Sequence, residues 1–143
     1  MNNNNNNNSE SAEILIKEID CEVTNILDKD NINDKYYLIV NYKNNNEEIT
    51  CYNSKEENNF LKEIKATPFT FNFMIYSNSK EKNFNFNINI IDDNEEIVSQ
   101  ININLENKNV FTVNDRYNLT GKENITLFLK FNVNTQGNED DKE

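Results

Sequence analysis

Four stretches of this chain alternate apolar with polar residues at a period of two: FTFNFMIY at 69–76, FNFNINI at 84–90, IVSQININL at 97–105 and NITLFLKFNV at 124–133. No other feature restricts the fold so tightly. In an extended segment, period two sends neighbouring side chains to opposite faces, so Phe84, Phe86, Ile88 and Ile90 share one face and Asn85, Asn87 and Asn89 the other. Asn forms strands poorly. On a solvated face that penalty is small beside the roughly 1.5–3 kcal/mol gained by burying each opposing Phe or Ile. The expectation is a set of strands with Phe and Ile inward and Asn facing water.

The remaining segments extend the pattern. EILIKEIDCEV at 13–23 reads as a first strand, with Leu15, Ile19, Cys21 and Val23 on one side. YYLIVNYK at 36–43 is β-branched and aromatic almost throughout, which suits a strand buried on both faces. EEITCY at 47–52 follows the turn NNN, and VFTV at 110–113 is short. One helix is expected, Lys55 to Lys65: Ser54 and Glu57 have capping-box spacing, Phe60, Leu61 and Ile64 form an apolar stripe, and Thr67-Pro68 ends it. Eight strands, one short helix and no βα alternation point to an all-β fold, an eight-stranded antiparallel β-sandwich. It spans residues 13–133, between an Asn-rich extension at 1–12 and an acidic tail at 134–143, both expected to be disordered.

About a quarter of the 143 residues are Asn, and Asn, Lys, Ile, Phe and Tyr all have A/T-rich codons, so the bias reflects the coding DNA more than chemistry. The net charge of −11 disfavours DNA, RNA and anionic lipid and favours cations or basic protein surfaces. No apolar run is long enough to span a bilayer, and the N-terminus lacks the basic-then-apolar pattern of a secretory signal. The chain is therefore expected to be cytoplasmic, with Cys21 and Cys51 as reduced thiols.

The chemistry is defined first by what is missing. There is no His, hence no His base or ligand and no Ser–His or Cys–His pair. Two Cys thirty positions apart do not make a usual zinc site, and no glycine-rich phosphate loop is present. The expectation is a protein that is not an enzyme. Two acidic clusters remain in expected loops: Asp28, Asp30 and Asp34 in LDKDNINDKY, and Asp92 to Glu96 in DDNEE. Calcium takes six to eight oxygens, which two acidic loops at one end of a sandwich could supply. The other reading is that Asp and Asn are simply ordinary turn residues. An EF-hand is excluded, because counting from Asp28 the sixth position is Asn33 and the twelfth Ile39.

In the order of its segments the chain resembles the C2 domains, the calcium- and phospholipid-binding eight-stranded β-sandwich family. NDKYYLIVNY resembles the family's Ser-Asp-Pro-Tyr strand opening, with Asp34 and Tyr36 matching and Lys35 in place of Pro. Thr67-Pro68 before FTFNF resembles the Asn-Pro that precedes an aromatic strand. IIDDN resembles the paired-aspartate strand end, with Asp92 in the first acidic place and Asn94 in the second. The resemblance implies a calcium set drawn from Asp28 or Asp30, Asp34, Asp92 and Asn94, and contact with anionic membranes when calcium is present. Asn94 offers only a neutral oxygen, so the implied affinity is low. Ile32 is the candidate apolar loop tip, and Lys62 and Lys65 resemble a phosphoinositide patch, although beside Glu57 and Glu63 they also read as a solvated helix face. The alternative is a calcium-independent protein-interaction sandwich.

Overall fold

The computed structural model describes residues 13–27, 31–33, 35–57, 60–61 and 69–136. They form eight strands: β1 (Ile14–Ile26), β2 (Tyr37–Asn44), β3 (Glu47–Asn53), β4 (Phe69–Asn78), β5 (Asn83–Ile91), β6 (Ile97–Glu106), β7 (Val110–Gly121) and β8 (Ile125–Gln136). All pairings are antiparallel, in the order β3-β2-β5-β6-β7-β8-β1-β4. The β6–β7 joint is brief, made by Ser99 opposite Gly121 and Gln100 opposite Thr120.

The sheet folds over its own inner face at that joint. Phe73 of β4 meets Phe86 of β5 edge-on at 5.3 Å, and Phe86 meets Phe131 of β8 at 5.4 Å, although these strands are not neighbours in the ladder. Tyr52 of β3 stacks on Phe71 of β4 at 4.1 Å, bringing together the two ends of the sheet order. The all-β expectation holds, and the alternating residues behave as their period requires: Phe84, Phe86, Ile88 and Ile90 are buried, as are Leu127, Leu129, Phe131 and Val133.

Local departures have local causes. β1 continues to Ile26 through a bulge between Val23 and Asn25, which absorbs Thr24 and returns Ile26 to the core. β7 runs to Gly121 despite the weak strand formers Asn114, Asp115 and Asn118, because β8 pairs with it from Val110 through Leu119. The β2–β3 hairpin turns on Asn45 and Asn46, both at positive φ as a tight two-residue turn requires. Asn89 is buried instead of facing water, and so is Ile91 on the same face.

The expected α-helix from Lys55 is replaced at its start by a single 3-10 turn over Ser54–Glu57, and Phe60 is not helical. The capping residues are engaged elsewhere. Ser54 Oγ accepts the Leu38 N–H at 2.9 Å, and Glu57 accepts from the Tyr52 hydroxyl at 3.1 Å. Lys62–Pro68 lie outside the described residues, as do the terminal segments 1–12 and 137–143.

Lys17 is a further departure. It sits among the inward residues of β1, wholly buried, its Nζ donating to the Lys108 carbonyl at 3.0 Å and to Thr135 Oγ1 at 2.7 Å. The Phe84 ring lies 5.1 Å away, so the ammonium is met by a carbonyl, a hydroxyl and a π face. Desolvation holds its pKa below the ordinary lysine value.

Candidate functional site

Tyr37 pairs with Ile91, which sets the start of β2 beside the end of β5. The turns that follow β3, β5 and β7 converge at this end of the sheet. Asp92 opens the turn after β5 and organises it: its Oδ1 accepts the N–H groups of Asn94 and Glu96, both at 2.9 Å. Its own N–H donates to the Glu96 carbonyl, and its carbonyl accepts from Glu95 N–H. Glu95 takes a φ of 65°, the left-handed region that a non-glycine residue occupies at a cost.

The neighbouring carboxylates are matched by basic groups from the turns after β3 and β7. Glu95 is 3.1 Å from Lys55 Nζ, and Glu96 is 3.1 Å from Lys122 Nζ. The hydrogen bond to Glu95 is the main cause that raises the Lys55 pKa. Tyr36, buried just before β2, donates its hydroxyl to Glu123. Burial, then the hydrogen bond and charge of Glu123, then the charge of Asp92, push the Tyr36 phenol up to about 12.

Lys122 and Glu123 reach this rim because of the β6–β7 joint. The β5–β6 register slips between Ile90 and Ile91, and the Val98 carbonyl accepts the Glu123 N–H at 3.0 Å. Gly121 makes the close approach possible: a Cβ there would stand 2.7 Å from the Val98 oxygen. On the flank, Phe60 packs against Tyr37 at 4.6 Å, with Lys35 over Phe60 and Lys55 over Tyr37.

Of the five expected calcium ligands, Asp92 and Asn94 lie in this turn, Asn94 exposed; Asp28, Asp30 and Asp34 lie outside the described residues. Among the described residues no three acidic or thiol groups stand together as a metal site. Asp92 has one oxygen committed to its own turn, and Glu95 and Glu96 face ammonium groups. Ile32, the expected apolar tip, is buried and packs in the core. Lys62 and Lys65 lie outside the described residues.

Lys55, Lys122 and Glu123 carry no sequence signal for this role, because their meeting depends on register between distant strands. Neither thiol is activated: burial raises Cys21, and Cys51 is pushed up to about 12 while its thiol donates to the Val40 carbonyl. No helix among the described residues is long and apolar enough to cross a membrane. No family model matches the chain, and no curated protein matches it.

Proposed function

We propose that the chain is a non-catalytic, C2-like binding module that engages a protein partner without needing calcium. The observation that carries this reading is the self-sufficiency of the rim: Asp92 Oδ1 holds two backbone amides, and Glu95 and Glu96 each hold a lysine. An arriving calcium ion has to compete with all of these for oxygens. The absence of His and the raised thiols support a binding role over a catalytic one. Eight antiparallel strands, with Asp92 closing β5 beside the start of β2, support the C2 resemblance. The two free cysteines suit a reducing, cytoplasmic setting.

The second reading, weak calcium-dependent contact with anionic phospholipid, is favoured by that same placement of Asp92 and Asn94. In it these two, with Asp34 and either Asp28 or Asp30, would hold the ion, whose chemistry is to bridge the acidic rim to lipid phosphate. Thermal unfolding with and without millimolar calcium separates the readings, because a ligand of the folded state raises the midpoint. The proposed module shows no rise, and it does not sediment with anionic liposomes in either condition. A rise in midpoint that Asp92→Asn abolishes would establish the calcium reading instead.

A further inference from the structure

Four strands have an open edge along much of their length among the described residues: β3, β4, β6 and β7. Unpaired edges invite another strand, and proteins guard them with charges, proline or bulges. β3 carries Glu47 and Glu48, β6 carries Glu106, and β7 carries Asp115 and Arg116. β4, FTFNFMIYSN, has none of these guards, and its ten-residue ladder with β1 runs from Phe69 to Asn78 without a register shift.

The outward face next to that edge is distinctive. Met74 and Tyr76 are 51% and 47% exposed, two neighbours on one face among the five exposed large apolar side chains of the described residues. Across the ladder, Glu18 pairs with Met74, Asp20 with Asn72 and Glu22 with Thr70, so a row of three carboxylates runs parallel to the open edge. Gln136 donates to Glu18 and Lys130 lies 3.6 Å from Glu22, whereas Asp20 is exposed. Where β4 ends, Ser77 Oγ, buried and without a hydrogen-bond partner, lines a groove of about 520 Å³ shared with Ile14, Tyr76 and Lys43.

We infer that β4 is a docking edge for an extended, basic segment of a partner protein, which adds as a ninth strand. This rests on the protein-interaction reading above and names the partner's chemistry. Main-chain hydrogen bonds to the open edge supply affinity, as in other strand-addition complexes. Alternate side chains of the guest stand over Thr70, Asn72, Met74 and Tyr76, about two strand spacings (~9.6 Å) from the β1 carboxylates, where Lys or Arg reaches across. Charge chooses this occupant over a second copy of the chain. Two molecules of net charge −11 joined edge to edge would bring their acidic rows together, whereas a basic strand neutralises the row.

The test uses the full chain and three synthetic peptides long enough to span β4. The first alternates Lys with Val or Thr, the second has Glu in place of each Lys, and the third keeps the lysines but has Pro at alternate apolar positions. Fluorescence anisotropy is expected to show saturable binding of the first, at least about ten-fold weaker binding of the third and none of the second. Amide exchange is expected to slow within 69–78 when the first peptide is bound. Met74→Lys, an exposed change, should weaken that peptide about ten-fold and leave the melting midpoint in place. Equal binding of the proline peptide, protection elsewhere, absence of saturable binding, or a dimer of the chain that Met74→Lys dissolves would each overturn the inference. None of these outcomes alters the midpoint with calcium, so the earlier reading stands or falls separately.

Discussion

The two ends of the folded sheet handle charge in opposite ways. At the rim formed by the 3-10 turn, the 92–96 turn and the β7–β8 turn, carboxylates and lysines meet in pairs on the surface. At the far end, Lys17 is sealed inside with no carboxylate partner among the described residues, held by a carbonyl, a hydroxyl and the Phe84 ring. Exposed pairs contribute little to stability and exchange readily, whereas a buried ammonium is costly to leave unpartnered. The contrast teaches that charge at the far end is part of the packed interior, while charge at the rim lies on the surface and is expected to contribute little to stability.

The largest effect should come from breaking the buried arrangement. Lys17→Ala removes the buried stem and leaves a cavity beside the Phe84 ring, and is expected to cost about 2–4 kcal/mol in urea unfolding. Lys17→Met keeps the stem's volume and should cost less than half as much, since Thr135 Oγ1 already lies 3.3 Å from the Lys108 carbonyl. Equal losses for the two would mean that the ammonium, not the packing, dominates.

Alkaline pH sharpens the same contrast. Burial raises Cys21, Cys51, Tyr36, Tyr42, Tyr52 and Tyr117 above their ordinary values. A group raised in the fold stabilises fully below its unfolded pKa and loses that contribution as pH climbs through its folded value. Stability should therefore fall from about pH 9, where unfolded thiols ionise, and keep falling to about 12, where Tyr36, Tyr117 and Cys51 titrate. Lys17 acts with the opposite sign, because its pKa is lowered: it adds stability as pH rises through its folded pKa towards 10.5. One lysine does not offset six acids, so the measured midpoint should decline across this range. Lys17→Met should steepen that decline.

At the rim the expected effects are smaller. Tyr36→Phe releases Glu123 and should cost about 1 kcal/mol near neutral pH while flattening part of the alkaline decline. Lys55→Gln combined with Lys122→Gln should leave the unfolding midpoint unchanged within error, since both pairs are exposed. That double variant should respond to calcium more than the parent chain does, because two competing cations are gone. If it loses marked stability, the rim is as structural as the far end and the contrast fails.

How far the sequence announced this depended on whether a residue answers to its own strand or to distant ones. Phe84 to Ile90 and Leu127 to Val133 were legible because period-two burial is a local property. The bulge at Thr24 and the full length of β7 were not, since both are set by pairing with β8. The helix expected from Ser54 failed for a similar reason: its cap was already satisfying Leu38 on another strand. DDNEE was legible as the turn after β5, but Lys55, Lys122 and Glu123, which meet there, arrive from two other places in the chain. Lys17 shares the parity of Leu15, Ile19, Cys21 and Val23, but no local signal announces a buried ammonium, because its partners at Lys108 and Thr135 lie far along the chain.

The central claim is that Asp92 holds its turn together without a metal. Hydrogen exchange at the Asn94 and Glu96 amides, measured with and without calcium, tests it most directly. The account predicts slow exchange at both in calcium-free solution, unchanged when the ion is added, and fast exchange in Asp92→Ala. Fast exchange in the parent chain that slows only on adding calcium would contradict it.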